Sequence, residues 1–570
     1  MRLKKSTSKN SISYYAIKSF YKDGSNTSKI VHKFGTHEEL LKKLGGKDPE
    51  TWVLAQIEKM NKEEAAEKQD VIVKFSPAKT IAKDEQRLFN GGYLFLQKMY
   101  NELGLGSICK QLSQKYKFTF DLDSVLSRLV YSRIIYPSSK LATNELSKNF
   151  LEQPNFSLQH IYRALDVVSK ESDFLQSQLY KNSLKIADRN TNILYYDCTN
   201  FFFEIEQESG VKQYGISKEH RPNPIVQMGL FMDGDGVPLA FSINSGNTNE
   251  QVTMKPLEEQ ILKDFECSKF IVCTDAGLSS KANRQFNNIG DRAFITTQSV
   301  KQLKKHLKDW ALDKNGWFTP GSKTEYDLSK IDESDYADQI FYKERWINEN
   351  GLEQKLIVTY SIKHKNYQRK IRNEQIDRAT RSIDTNSTKS EHHGQNDYKR
   401  FVKKTSVTPD GEIAENNKYY LDEKRIAQEE MYDGFYAVCT NLDGSSTDII
   451  RINQRRWEIE ECFRIMKSEF KARPVFLSRD DRIQAHFMTC FIALTIYRLL
   501  EKRLGEKYTC REIVQGLRDM NFLELKGDGF VPAYTRTDFT DDLHDTFGFR
   551  TDLQLLTLKE IRNIYRKTKK

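Results

Sequence analysis

Between residues 191 and 297, apolar runs of strand length alternate with turn and helix signals in a fixed order. That order restricts the fold more than any other feature of the chain. Ile193-Leu194-Tyr195-Tyr196-Asp197 is a short apolar run ending in an acid. Residues 225–231 and 237–243 are two more strand-like runs, joined by Asp233-Gly234-Asp235-Gly236, a hairpin-turn composition. Residues 250–265 read as an amphipathic helix. Residues 269–275 are a fourth strand, again ending in an acid, Asp275. A helix over 279–286 and a fifth strand over 292–296 follow. Three strands, a helix, then strand, helix and strand is the order of a mixed-sheet α/β domain.

The rest of the chain divides around this segment. At 570 residues it exceeds a single core, so about three or four domains are expected. Residues 1–45 read as a small ββα module: strands over 13–17 and 29–34 flank the turn Asp23-Gly24-Ser25-Asn26, and Thr36 with Glu39 is a capping pair. Residues 46–189 are mainly helical, with Leu126, Leu129, Val130 and Ile134 three and four apart. The α/β segment occupies 190–297. Residues 298–430 mix short strands, 339–342 and 355–360, with polar sequence, and 382–398 is the best candidate for a mobile loop. Order resumes over 431–505, with a long helix from about 447 to 467 and an apolar helix over 482–503. A basic region, 506–570, ends the chain.

Charge and cysteines narrow the function classes. The formal net charge of +10 points to a polyanionic partner. None of the 8 cysteines forms a C-x-x-C pair, so reduced thiols are expected rather than a zinc site or a disulfide framework. The start of the chain has no apolar segment of a secretory signal. The longest apolar run, 487–497, falls short of the ~20 residues that span a bilayer and reads as a buried helix. A soluble, cytoplasmic protein is expected.

The stretch 453–467, NQRRWEIEECFRIMK, carries the chemistry. Arg456, Glu460 and Lys467 stand at relative positions 0, 4 and 11, which share one face of a regular α-helix. Asp197 and Asp275 each end a buried strand, where ligands of such sheets gather. Three converging carboxylates suit hard cations such as Mg²⁺. Two such ions about 3.5–4 Å apart clamp both oxygens of a phosphodiester displacement. Each residue also has a plainer reading. Asp275 before Ala-Gly and Asp197 before Cys-Thr-Asn suit turns. Arg456 with Glu460 suits a surface i, i+4 pair. A D-x-D phosphatase is excluded, because Thr199 and Asn200 leave no second acid after Asp197.

With these residues in this order, the chain resembles bacterial DDE-type insertion-sequence transposases with an RNase H-like core, the subgroup with a Y-x2-R-x3-E-x6-K signature. Arg456, Glu460 and Lys467 match its last three letters, whereas the tyrosine letter falls on Asn453. Tyr196-Asp197-Cys198-Thr199 matches around the first acid and Thr274-Asp275-Ala276-Gly277 around the second. Gly246-Asn247-Thr248-Asn249-Glu250 is similar to a stretch these enzymes carry after the third strand. The resemblance implies an α/β, RNase H-like mixed sheet interrupted by a largely β insertion, with a mainly helical N-terminal region that binds DNA and a helical C-terminus. It implies that Asp197, Asp275 and Glu460 hold two Mg²⁺ or Mn²⁺ ions and that Arg456 and Lys467 contact phosphates. Trp457 either packs beside them or sits in the core.

Basic segments extend the expected DNA path. Residues 363–381 carry Lys365, Arg369, Lys370 and Arg372 with Tyr367 among them, and 301–314 and 562–570 are also basic. His486 reads as a core histidine. The expected partners are double-stranded DNA, as terminal repeats and target, and a second copy of the chain in a synaptic dimer, with the nucleoid as the site of action. The rivals are an RNase H-like nuclease without strand transfer and an inactive DNA-binding relic.

Overall fold

The computed structural model describes residues 1–8, 11–22, 25–67, 76–349, 351–385, 397–407 and 413–570. They form two compact units, one drawn from residues 1–86 with 525–528 and the other from 87–524 with 529–570.

In the first unit, β1 (Arg2–Ser8), β2 (Ser11–Lys22) and β3 (Ser25–Thr36) make an antiparallel meander, followed by α1 (His37–Lys43) and α2 (Pro49–Glu67). Tyr14 and Ala16 bury one face against Leu40, Val53 and Ile57. The Thr36 hydroxyl accepts the Glu39 N–H at 3.4 Å and the Glu39 carboxylate accepts the Thr36 N–H at 2.8 Å. This reciprocal cap starts α1 where the sequence places it. β1 is an addition to the ββα reading. Nearly all of its residues are exposed, so no apolar alternation marks it as a strand.

The second unit begins with β4 (Leu88–Asn90), α3 (Tyr93–Glu102), α4 (Leu105–Tyr116), α5 (Leu122–Ile135), α6 (Lys140–Leu146), α7 (Leu158–Lys170) and α8 (Ser172–Ser183). These helices share one apolar core with the sheet that follows. That sheet starts with β5 (Ile193–Phe202), β6 (Ile225–Asp233) and β7 (Pro238–Ser245), then α9 (Met254–Asp264), β8 (Ile271–Thr274), α10 (Lys281–Phe286) and β9 (Ala293–Gln298). Its order is β7-β6-β5-β8-β9, with β5, β8 and β9 parallel and β6 antiparallel to β5. This is the RNase H-like arrangement. Asp197 lies inside β5 rather than at its end. β5 stays paired with β6 as far as Phe202↔Ile225, well past the three residues it pairs with β8.

The interrupting segment contains α11 (Lys305–Leu312), β10 (Ile340–Glu349), β11 (Leu352–Ser361), α12 (Ile362–Asp384), β12 (Val402–Val407), β13 (Ile413–Leu421) and α13 (Glu423–Glu430). β14 (Phe435–Thr440) then pairs with β9, β11 with β14 and β10 with β11, so the sheet grows to eight strands. β12 and β13 form a separate ribbon. The expected mobile loop falls largely on residues 386–396, which lie outside the described residues.

The expected helix over 447–467 is broken in two. α14 (Ser446–Gln454) stops, α15 (Trp457–Arg464) restarts, and a π-helical turn, Ile465–Glu469, follows. The Ile452 carbonyl, which would accept the Arg456 N–H in an unbroken helix, accepts the Tyr195 hydroxyl at 2.8 Å. The backbone tightens instead, with Arg455 N–H on Ile452 and Arg456 N–H on Asn453. The apolar run 487–497 lies in α16 (Asp480–Arg503), and 94% of that helix's most apolar window is buried inside the unit. α17 (Cys510–Asp519), β15 (Asn521–Leu525), β16 (Gly529–Pro532), α18 (Asp538–Phe547), β17 (Leu556–Thr557) and α19 (Leu558–Thr568) complete the chain.

Candidate active site

Alternation along β5 sorts its side chains between two faces. Tyr196 and Cys198 turn toward Thr253, with Tyr196 Oη 2.7 Å from Thr253 Oγ1. Tyr195, Asp197, Thr199 and Phe201 take the other face, under α14 to α16. There Tyr195 reaches Ile452, and the Phe201 ring lies 4.8 Å from that of Phe487. β5 and β8 run parallel with Tyr195 opposite Cys273. Asp197 and Asp275 each lie two residues beyond that last pair, and Asp275 bears electrostatically on Asp197. Sequence separation alone could not show this proximity.

Their surroundings are asymmetric. Asp197 Oδ1 accepts the N–H of Cys198 at 2.7 Å. Burial pushes its carboxyl up to about 6, with Asp275 pushing the same way while Lys218 and Arg456 oppose. Asp275 Oδ1 accepts the Leu278 N–H at 3.0 Å, so this acid also closes its turn, and Thr296 Oγ1 donates to its carbonyl at 3.2 Å.

Lys218, in the loop between β5 and β6, is a site residue that the sequence reading did not single out. Its amino group donates to the Cys198 carbonyl at 2.6 Å and pairs with Glu250 at 3.0 Å. Burial opposes its charge, but Asp197 and Glu250 together hold it above the ordinary lysine range. A lone lysine in a polar loop carries no periodicity, and only the fold brings it to the acids. Glu250 belongs to the stretch after the third strand that the sequence does mark.

The π-helical turn redirects Lys467. Each such turn admits an extra residue, so the 3.6-residue spacing no longer places Lys467 on the face of Arg456 and Glu460. Its amino group instead donates to Thr199 Oγ1 at 2.7 Å, on Asp197's strand and face, and pairs with Glu219 at 3.3 Å. Burial, followed by the charge of Lys218, lowers it to about 8, against the pull of Asp197. Glu219 also pairs with Arg473.

Glu460 stands at the start of α15 with 63% of its side chain exposed, and its carboxylate lies 3.7 Å from the Arg456 guanidinium. Arg456 bears electrostatically on Asp197, so it connects the third acid to the first two. Among the described residues, the carboxylate oxygens of Asp197, Asp275 and Glu460 do not form a set lying within 4.8 Å of one another. The third acid is turned to an open cleft of about 740 Å³, whose walls include Arg456, Trp457, Lys363, His364 and Tyr367. Trp457 is 61% exposed there, which excludes the core role. Asn453, at the tyrosine letter, donates from Nδ2 to the Tyr436 hydroxyl at 3.1 Å. An aromatic hydroxyl therefore does stand at this place, supplied by β14.

Helix α12 carries the expected basic path unevenly. Arg369, Lys370 and Tyr367 are exposed. Lys365 pairs with Glu333. Arg372 does not present the exposed charge that the sequence suggests: its guanidinium is buried and grips both oxygens of Asp433 at 2.6 Å. A helix presents only part of its circumference to solvent, and Arg372 falls on the inward part. His486 is buried, with Nε2 3.0 Å from the Ala472 carbonyl, as a core histidine should be.

The donor set suits a divalent cation. Two carboxylates are forced together, the buried one is costly to ionise, and a third waits at the cleft edge; a hard cation with oxygen ligands relieves that repulsion.

A family model described as the transposase DDE domain matches residues 200–496, a stretch that begins just after Asp197 and contains Asp275 and Glu460. No curated protein matches the chain. Solved structures that match include a piggyBac transposase synaptic complex with hairpin DNA, at 9% identity and a TM-score of 0.35, covering 85% of this chain and 88% of that one.

Proposed function

This chain belongs to the transposase DDE domain family, and on that premise we propose that it cuts DNA at the ends of a bacterial insertion sequence and joins the freed 3′-hydroxyls to a target. The observation that supports the reading is the effect of Asp275 on the buried carboxyl of Asp197, each acid two residues past the Tyr195–Cys273 pair of β5 and β8, with Arg456 linking Glu460 to them. In this reading Asp197, Asp275 and Glu460 hold Mg²⁺ or Mn²⁺, as two ions. When bound, such ions lower the pKa of an attacking hydroxyl and neutralise charge on the departing oxygen. Both cutting and joining are then displacements at one site.

The chain's own residues supply the rest. Arg456 and Lys467 are charge-assisted donors for phosphate oxygens on either side of the acids. Lys218 holds Asp197 in its ionised form as the site fills. Trp457 and Tyr367 offer exposed rings in the cleft, and Arg369 and Lys370 offer charge along α12. Glu460 completes the set by exchanging its contact with Arg456 for the two aspartates, which frees the guanidinium for DNA. Two DNA ends require two such sites, hence a homodimer in the synaptic complex.

The test is to replace each acid by its amide: Asp197→Asn, Asp275→Asn and Glu460→Gln. Each variant should lose cleavage by at least about 10³-fold in Mg²⁺ or Mn²⁺ while still binding end DNA, a loss of about 4 kcal/mol in barrier lowering. Ordinary cleavage by any one of them removes that residue from the site. A pre-cut end that is never joined to target DNA would assign the chain to the nuclease reading instead.

A further inference from the structure

A second cavity, largely apolar but with a cluster of cations in its wall, lies near the candidate site and plays no part in the reading above. Residues from α5, α6 and the segment after the π-helical turn enclose about 380 Å³, a volume suited to a small ligand. Lys140 enters it from the start of α6. It is 5% exposed, and its amino group has no hydrogen-bond partner. Arg133, from α5, is buried beside it and donates only to backbone carbonyls, those of Phe470 at 3.1 Å, Lys471 at 3.4 Å and Ser138 at 3.2 Å. Its Nε has no partner.

Lys471 and Arg473 complete the polar wall, and no aspartate or glutamate lines the cavity. Buried cations are ordinarily paired, because an unpaired one loses hydration without compensation. Here Lys140 and Arg133 act on one another with no carboxylate in the cavity wall to offset them.

The cavity is linked to the acids. Arg473 pairs with Glu219, Glu219 with Lys467, and Lys467 with Thr199 two positions from Asp197. At its mouth Phe476 is 68% exposed, an apolar surface next to the cationic floor. An anionic group carried on an apolar stem fits this arrangement.

We propose that this cavity is a phosphate-binding site, with Lys140 and Arg133 as its donors, and that it takes a backbone phosphate of the DNA strand lying beside the acids. The choice of DNA as the source rests on the transposase reading. The anion chemistry does not.

Lys140 also makes occupancy dependent on pH. The titratable and charged groups facing it are Arg133, Cys490, His486, Tyr162, Lys471 and Arg473; none is a carboxylate, and Cys490 supports its proton less than Arg133 opposes it. Burial, with the Arg133 charge, lowers it to about 7. An arriving phosphate restores the proton.

The experiment uses the full chain, with Lys140→Met and Lys140→Arg variants, and two probes: inorganic phosphate, and a duplex with a 3′ single-stranded extension, without divalent metal. Wild type should be stabilised against heat by millimolar phosphate, and Lys140→Met should not. For the DNA probe, Lys140→Met should weaken binding about tenfold or more and lower the slope of log affinity against log salt by about 0.7 to 0.9. Wild type should take up about half a proton on binding at pH 7, and Lys140→Met none. Lys140→Arg should retain the binding. The methionine variant without ligand should melt higher than wild type, because it loses a buried unpaired charge; a collapse of the fold is therefore not expected to mimic the loss. Unchanged DNA affinity, salt slope and proton uptake in Lys140→Met would overturn the proposal. Phosphate binding that Lys140→Met abolishes, with DNA binding unaffected, would overturn DNA as the source. Wild type that binds no DNA at all would sink the transposase reading along with this assignment of source.

Discussion

If Asp197 is held in a site built for a cation, removing its charge should make the metal-free protein more stable. The folded chain keeps this proton up to about 6, whereas an unperturbed aspartate keeps it only to 3.8. The folded state thus binds the proton more tightly. Its stability falls as pH rises from about 4 to about 6 and stays reduced above that range. The gap corresponds to about 3 kcal/mol at pH 8. A folded unit of this size has an unfolding entropy near 1 kcal/mol/K, so Asp197→Asn should raise the melting temperature by about 2 to 3 °C at pH 8 in EDTA. The difference should vanish near pH 4, where both side chains are neutral. Added Mg²⁺ should raise the melting temperature of wild type and leave the variant nearly unmoved. The assay is a melting series at pH 4, 5, 6 and 8 with and without Mg²⁺. If Asp197→Asn melted at or below wild type at pH 8 in EDTA, then Lys218 and Arg456 already compensate the charge, and the reasoning from a strained carboxylate pair is wrong.

Two substitution sets probe other parts of the molecule. Arg372→Ala should destabilise by about 3 to 5 kcal/mol in a denaturant titration, because Asp433 is left buried and alone, while the salt slope of DNA binding stays constant. Arg369→Ala and Lys370→Ala should do the reverse, each costing under about 0.5 kcal/mol of stability and lowering the salt slope by about 0.9. Gly236 sits at a φ of +79°, and a Cβ there would lie 2.1 Å from Glu458 Oε2 and 2.3 Å from Arg498 Nη2. Gly236→Ala should therefore cost about 1 to 3 kcal/mol, read from the same titration, and reduce cleavage more than DNA binding.

The core sheet was legible because its signals are local. The Asp233-Gly234-Asp235-Gly236 composition marks a turn that joins β6 and β7 where expected, and the run of strands and helices over 191–297 matches the observed elements to within a few residues. The Thr36 and Glu39 cap is likewise a pattern of four residues. What escaped depends on distant partners. Neither Gly nor Pro stands at the break between α14 and α15. A hydroxyl from Tyr195, far back in the chain, takes the carbonyl there. Arg372 looks like the other cations of its helix until Asp433 is brought beside it. The growth of the sheet through β14, β11 and β10 depends on pairing between segments that no periodicity connects. Of the candidate acids, strand patterns marked Asp197 and Asp275, although Asp197 lies within β5 and not at its end. The side-chain direction of Glu460 was not readable, because a spacing of 0, 4 and 11 presumes one regular helix.

The interruption at Arg455 and Arg456 leaves the last acid on a rod of eight residues, α15. Its inner face is packed, with Ile459, Cys462 and Phe463 buried in the core, and Arg498 holds both Glu458, at 3.2 Å, and the Gly236 carbonyl, at 2.8 Å. The break parts its first turn from α14, and Glu460 stands on the exposed face, so its side chain can swing while the packed face stays in place. Under the proposed function, bringing in the third ligand is then a rotation of one exposed side chain beside Trp457 and Arg456.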